Sequence, residues 1–388
     1  MQPTGVLESS KATKNRLQEL LSYGQSMWLD YIRRDLFTTG RLKQMIADDG
    51  LRGMTSNPAI FEKAIADSSL YDDQLKALAA RKDLDATGRF EQIAIRDIQD
   101  AADTLRSVYD ESSFRDGYVS LEVSPYLARK TQETIAEARR LWKAVNRPNV
   151  MIKIPGTVEG LPAIRQTIGE GLNINITLLF AQDVYEQVAE AYLAGLEEYA
   201  GRGGNLKKMA SVASFFISRI DTLIDSKVNE LLKTTSDAAQ QALLKSLLGK
   251  VAIANGKLTY QSYQRIFSGP RWAALAAKGA QTQRVLWAST STKNPAYRDV
   301  IYVEELIGPD TVNTMPPATI DAFRDHGQLR NSLTENVAAA ANTMADLERA
   351  GVSMKQVTDK LTDDGVKLFA DAFDKLLAAV EKSTQQKG

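Results

Sequence analysis

Eight short segments rich in β-branched and aromatic residues recur along this chain, and nearly every one is followed by a stretch of helical periodicity. The strand-like segments are Ser26–Asp30, Arg52–Ser56, Tyr118–Ser124, Val150–Pro155, Leu172–Thr177, Lys208–Ser214, Arg284–Ser289 and Thr311–Met315. Helical patterning covers residues 12–22, 38–48, 59–108, 128–146, a run beginning near 159, 181–200, a long stretch to about 280, and 331–384. Strands that alternate with helices make a parallel sheet with helical crossovers, and eight is the number that closes it into a (β/α)8 TIM barrel. A doubly wound open sheet is the alternative, but it would carry a glycine-rich phosphate loop, and neither GxGxxG nor a Walker A pattern occurs. The 388 residues exceed the ~250 of a minimal barrel, so extra helices are expected at the N-terminus, after strand six and at the C-terminus. No Pro-, Gly- or Ser-rich linker interrupts the pattern, so residues 1–388 read as one domain, with 331–384 as C-terminal helices packing on the barrel.

Alternate residues of a strand face opposite ways. Leu172, Ile174 and Ile176 share one face of the fifth segment, and Asn173, Asn175 and Thr177 share the other. The third segment repeats this, with Val119, Leu121 and Val123 opposed by Ser120, Glu122 and Ser124. Helices cover the outside of a parallel barrel, so the apolar face must point outward and the polar face into the lumen. The early strands then end on Asp30, Asn57, Glu122, Lys153, Thr177 and Ser214. The C-terminal mouth of such a barrel is where its enzymes assemble their sites.

Lys153 stands out within this set. It lies between Ile152 and Ile154 in an otherwise apolar strand closed by Pro155 and Gly156. Desolvation favours the neutral form of an amine, and a neutral amine can form a Schiff base with a carbonyl. A lysine whose stem carries the charge out to water is the structural alternative.

Composition removes other chemistries. Lys and Arg number 48 against 48 Asp and Glu, so the net charge of +0 offers no basis for binding nucleic acid or an anionic membrane. With no cysteine there is no disulfide, thiolate nucleophile or cysteine-ligated metal. The one histidine, His326, cannot supply an HExxH zinc site, and its place before Gly327 reads as the end of a helix. Gly201-Arg202-Gly203-Gly204-Asn205 reads as a turn. No apolar run reaches the roughly 18 residues of a membrane span and residues 1–10 are polar, so a cytoplasmic location is expected.

Five blocks together resemble the transaldolases, Schiff-base aldolase-type transferases of the pentose phosphate pathway. They are Thr55-Ser56-Asn57-Pro58, Leu121-Glu122-Val123-Ser124, Ile152-Lys153-Ile154-Pro155, the run Asn173 to Phe180, and the run Ser214 to Asp221. The resemblance implies a dihydroxyacetone unit moved from sedoheptulose 7-phosphate to glyceraldehyde 3-phosphate, with no metal and no cofactor. It implies that Lys153 forms the imine and that Asp30 is the acid/base of C–C cleavage. It also implies that Glu122 and Thr177 hold a relay water, that Asn57 and Asn175 hold donor hydroxyls, and that Ser214 lines the pocket. Arg219 would bind the acceptor phosphate.

One block departs from the family. Many members carry a phosphate-gripping arginine shortly after the alanine-serine pair of the seventh strand. Here that run is Ala288-Ser289-Thr290-Ser291-Thr292-Lys293, with Ser291 in the arginine's place and Lys293 as the substitute beside Ser289. A fructose 6-phosphate aldolase using the same imine is the nearest alternative, but Glu122 and Phe216 match the transferase pattern. A barrel that only binds phosphosugars is the other. Phosphorylated sugars are the expected partners, and both a monomer and a homodimer are compatible with the chain.

Overall fold

The computed structural model describes residues 15–387. Eight parallel strands close into one barrel in sequence order. They are β1 (Gln25–Asp30), β2 (Gly53–Thr55), β3 (Tyr118–Glu122), β4 (Val150–Pro155), β5 (Ile174–Leu179), β6 (Ser211–Phe216), β7 (Arg284–Ala288) and β8 (Thr311–Met315). β1 pairs with both β2 and β8, which closes the ring. The (β/α)8 reading is therefore correct, with additional helices that include a long C-terminal one, Met354–Lys387.

Two strands sit further along the chain than their sequence patterns suggest. β5 begins at Ile174 rather than Leu172 and runs past Thr177 to Leu179, and β6 begins at Ser211 rather than Lys208 and continues beyond Ser214. The reason is local. Asn173 uses its side chain as a clasp, donating to the carbonyls of Pro148 and Val150 and accepting from Ala210 N–H. Leu206–Lys208 instead closes a 3-10 turn started by the Asn205 side chain.

The expected helix over 59–108 is four helices, Pro58–Ala66, Asp72–Ala79, Ala86–Thr104 and Arg106–Glu111. Asn57 caps the first of them and Asp85 the third, each accepting a backbone N–H, and Pro58 occupies the first helical position. The insertion after β6 likewise divides into Ser218–Thr234, Ala238–Leu247, Val251–Ile266 and Pro270–Ala276. Residues 12–14 of the expected N-terminal helix lie outside the described residues; the rest is a turn of helix at Arg16–Glu19 followed by a 3-10 turn.

The outward strand faces form the main core. Val119, Leu121, Ile152, Ile154, Ile174, Ile176, Ala213, Phe215, Val285 and Trp287 are all buried between sheet and helices. The lumen is filled in layers. At its N-terminal end Arg284 of β7 pairs with Asp116 at 2.8 Å, and Ser26 and Trp28 of β1 also donate to that carboxylate. Above this pair the Trp28 ring lies over Gly53, where an added Cβ would come within 2.5 Å of the indole. Only glycine permits that approach. The C-terminal mouth is left for the polar ends of the strands.

His326 closes the helix Pro317–His326, as its sequence suggests, and bonds to Asp299 and Asp325. Among the described residues no helix is long and apolar enough to cross a membrane.

Candidate active site

A cleft of about 220 Å3 opens at the C-terminal mouth of the barrel. Its walls include Asp30, Asn57, Lys153, Thr177, Ser214, Arg219, Ser289 and Lys293, which the sequence nominates, together with Thr55, Phe216, Ser291, Thr314 and Phe369. Glu122 and Asn175 are not part of that wall and sit one layer behind it.

Lys153 projects inward from β4 because its strand neighbours Ile152 and Ile154 are fixed outward by helix packing. Only 5% of it is exposed. Its Nζ donates to the Ser56 carbonyl at 3.0 Å and lies 3.3 Å from Glu122 Oε2. The β3–β4 register, which puts Glu122 directly opposite Lys153, creates that approach. The pair is at ion-pair distance without hydrogen-bond alignment, so both Glu122 oxygens are buried with no donor, as is the nearby Thr177 hydroxyl. Buried polar atoms are nearly always satisfied, so orphans converging on one amine point to a site rather than to a core. Burial raises the Glu122 carboxyl above its ordinary range, against the lowering pull of Lys153.

Asp30 ends β1 on the neighbouring wall and accepts from the Thr55 hydroxyl at 2.8 Å; Thr55 is also 2.7 Å from Thr314. Burial raises Asp30 as well, opposed by the Thr55 hydrogen bond and then by the charges of Lys153, Arg219 and Lys293. A carboxyl raised in this way, in the same cleft as an amine, is suited to moving protons.

Asn57 Oδ1 is occupied in capping the helix Pro58–Ala66 through Ile60 N–H at 3.0 Å, so its structural and site roles coexist. Asn175 is engaged at both ends of its amide: its Nδ2 donates to Ser120 and its Oδ1 accepts from Ser214. It braces β3, β5 and β6 under the floor of the cleft.

The far side of the cleft is cationic. Arg219, second residue of the helix Ser218–Thr234, stacks its guanidinium 5.1 Å from the Phe216 ring centroid. Among the described residues it forms no salt bridge, and its Nη1 is buried without a partner. Lys293 donates to Ser291 at 2.7 Å and likewise pairs with no carboxylate among the described residues. Burial lowers both cations from their ordinary values, and Arg219 adds to the lowering of Lys293. Two cations on one wall of the cleft, one of them largely buried and neither in a salt bridge among the described residues, form a place for an anion. Between them, Ser289 adopts a left-handed conformation (φ 55°) and its hydroxyl is 2.9 Å from that of Ser218.

Reading the strands alone misses Phe369. It comes from the C-terminal helix, and its ring centroid is 5.9 Å from Lys153 Nζ. In the sequence Phe369 and Phe373 form an ordinary i, i+4 apolar pair, so nothing local separates the one that covers a site from the one that packs in a core. Thr55 was visible inside a motif, but its bond to Asp30 was not.

Comparison with known proteins agrees with this geometry. The family model described as Transaldolase/Fructose-6-phosphate aldolase matches residues 27–380. The chain is 47% identical to the transaldolase of Trichodesmium erythraeum over 375 residues, spanning 96% of this chain and 98% of that protein. It is 48% identical to transaldolase 2 of a Nostoc species over 370 residues, 95% of this chain and 97% of that one. Transaldolase 1 of Streptomyces coelicolor is 46% identical over 384 residues, 99% of this chain and 98% of that one. With a barrel of the expected topology and a match that spans nearly the whole chain, this protein belongs to the transaldolase/fructose-6-phosphate aldolase family.

Proposed function

We propose that the chain works as a transaldolase, carrying a dihydroxyacetone unit from sedoheptulose 7-phosphate to glyceraldehyde 3-phosphate and leaving erythrose 4-phosphate and fructose 6-phosphate. The observation that carries this reading is the buried amine of Lys153 in the cleft, facing a raised carboxyl, with Arg219 and Lys293 across the cleft in no salt bridge among the described residues. Its relatives bear the transaldolase name along nearly their whole length. We place it in the cytoplasm, as one domain with its C-terminal helices, acting as a monomer or homodimer on phosphorylated sugars.

Lys153 attacks the donor ketone to give a carbinolamine and, with loss of water, an imine. Glu122 and Thr177 flank that water and pass its protons; their unsatisfied oxygens are where such a relay would bond. The imine withdraws electrons from the adjacent bond. Asp30 then takes the proton of the donor hydroxyl, the C–C bond breaks, and the three-carbon enamine stays on Lys153. The acceptor aldehyde enters, the carbon adds to it, and Asp30 returns the proton. Asn57 holds donor hydroxyls and Ser214 shapes the floor, while Asn175 supports them through Ser214 and Ser120. Arg219, with Lys293 and Ser289, takes the phosphate. Lys293 is a point charge where a second arginine would offer a bidentate fork.

Borohydride reduction in the presence of fructose 6-phosphate tests the reading. Lys153 should carry the three-carbon adduct, and Asp30→Asn should trap the complete sugar because the imine forms but cannot cleave. A label on Lys293, or none in active enzyme, would sink the mechanism. A three-carbon adduct at ordinary yield in Asp30→Asn would remove Asp30 from its role.

A further inference from the structure

We infer that Tyr297 and Asp225 form a latch that holds Lys293 in the cleft beside Arg219, which makes Tyr297 a positioning residue for the substrate phosphate although it lies outside the cleft wall. The inference rests on the phosphate-binding role proposed for Arg219 and Lys293.

The two cations reach the cleft on different segments. Arg219 lies in the first turn of the helix Ser218–Thr234, whereas Lys293 lies in the loop between β7 and the short helix Ile301–Glu304. Like charges on one wall repel, and Arg219 acts on Lys293 in that sense. The hydrogen bond of Lys293 goes to Ser291, two residues away in the same loop, so it cannot fix the ammonium relative to Arg219. Residues 293–296 are exposed, so packing does not hold the loop tip either.

What joins the segments is a pair of carboxyls on the helix of Arg219. Asp221 and Asp225 are four residues apart, hence on one face, and both are buried. Each divides its oxygens in the same way. Asp225 accepts from the Tyr297 hydroxyl at 2.6 Å and from Gly249 N–H at 3.1 Å. Asp221 accepts from the Tyr302 hydroxyl and from Ala252 N–H, both at 2.8 Å. Tyr302 belongs to the short helix after the loop, but Tyr297 belongs to the loop itself. A turn links it to Lys293, with Tyr297 N–H donating to the Asn294 carbonyl and Ala296 N–H to the Asn294 side chain.

The other holds on the loop act elsewhere. Ser289 bonds to Ser218 at its base, and Thr292 closes its stem on the Arg298 and Asp299 carbonyls. Further along, Arg298 and Asp299 bond to Glu304 and His326 rather than to the helix of Arg219. Tyr297 therefore anchors the tip to that helix. Gly249, left-handed at φ 68°, is fitted to its ring: an added Cβ would stand 2.7 Å from Tyr297 Cζ. Only a residue without Cβ lets the ring lie that close. Without the hydroxyl the tip is free to swing, and repulsion from Arg219 drives Lys293 toward water. The latch thus sets both cations in place before the phosphate arrives, which lowers the ordering cost of binding.

The test is a double-mutant cycle in the full chain. Tyr297→Phe keeps the ring on Gly249 and removes the hydroxyl; it is measured in the parent and in Lys293→Ala. In the parent it should raise KM for fructose 6-phosphate by about threefold to tenfold, with kcat moving by less than about twofold. In Lys293→Ala it should change KM by less than about twofold, because no ammonium is left to place. Borohydride trapping of dihydroxyacetone on Lys153 should proceed alike in every variant, since that ligand carries no phosphate. Asp225→Ala cuts the same bond from the helix side and should give the same pair of KM ratios, which keeps the test open should Tyr297→Phe not fold. An unchanged KM in Tyr297→Phe, an equal rise in both backgrounds, or slowed trapping overturns the latch while leaving the phosphate site standing. If Lys293→Ala alone leaves KM for fructose 6-phosphate unchanged, it is the phosphate-binding reading beneath the latch that fails.

Discussion

At the N-terminal end of the lumen Arg284 and Asp116 are buried together, and both carboxylate oxygens and both terminal guanidinium nitrogens are bonded: Arg284 to Asp116, Ser26 and the Arg115 carbonyl, Asp116 also to Ser26 and Trp28. At the C-terminal end Lys153, Glu122, Asp30 and Arg219 are also desolvated, but Glu122 and Arg219 keep buried polar atoms without partners. The carboxyls respond in opposite directions. Burial pushes Asp116 upward, yet the charge and hydrogen bonds of Arg284, with those of Ser26 and Trp28, outweigh it and hold Asp116 below its ordinary value. For Asp30 and Glu122 burial wins and both are raised. Residue type and depth therefore do not separate structure from chemistry in this barrel. Between these two charged clusters, saturation of the hydrogen bonds does, since a group that already has its partners has less left with which to bind a substrate.

The largest contrast comes from deleting the cation at each end. Lys153→Ala should cut turnover by roughly 10^4-fold or more, with little change in melting temperature, because Glu122 can take up a proton when its partner goes. Arg284→Ala should do the reverse. It leaves Asp116 charged and buried without its cation, a loss of about 3–5 kcal/mol in stability, while the fraction that stays folded keeps ordinary kinetics. Denaturation midpoints measured beside kcat would show both. A Lys153→Ala protein that is strongly destabilised would break the comparison.

Next in size is the phosphate side of the cleft. Charge-assisted hydrogen bonds contribute about 1.5–3 kcal/mol, so Arg219→Ala should raise KM for phosphorylated substrates by about 10- to 100-fold. Lys293→Ala should raise it by less, because one mobile ammonium replaces a fork. Neither should disturb reaction with unphosphorylated dihydroxyacetone analogues. Equal losses on both substrate classes would move these residues from the saturated-versus-unsaturated contrast into the fold.

A third buried carboxyl sharpens the comparison through pH. Asp221, near Arg219 on the helix Ser218–Thr234, is raised to about 7 by burial, against hydrogen bonds from Ala252 N–H and Tyr302. A raised acid stabilises the fold below its unfolded value and loses that contribution as pH rises through its folded value. Stability should therefore fall between about pH 4 and 7 by up to about 1.4 kcal/mol per unit from this group. Asp221→Asn should flatten that part of the profile in denaturant titrations. An identical slope in the variant would show that Asp221 does not carry the proton.

Most of the barrel was legible because helix cover forces one strand face to be apolar, and the opposite faces then had to supply the lumen. Asp30, Lys153 and Thr177 could be placed in the cleft from that argument alone, and the structure puts them there. Asn175 shows its limit. Parity places it inward, but only the neighbouring strands reveal that its amide bonds to Ser120 and Ser214. The offsets of β5 and β6 came from an Asn173 clasp that binds backbone groups remote in sequence, which no local pattern records.

What the amino-acid sequence determined by itself was periodic and local: eight strands, their inward faces, the absence of thiols and the lysine among isoleucines. These follow from the two-residue repeat of a strand and from the cost of burying charge, which act within a few residues. Tertiary structure alone decided which buried groups stayed unsatisfied, how close Glu122 comes to Lys153, and that the C-terminal helix lays Phe369 over the amine. Those outcomes depend on distances between segments that the chain brings together from far apart, and a sequence pattern carries no information about such distances until the barrel has closed.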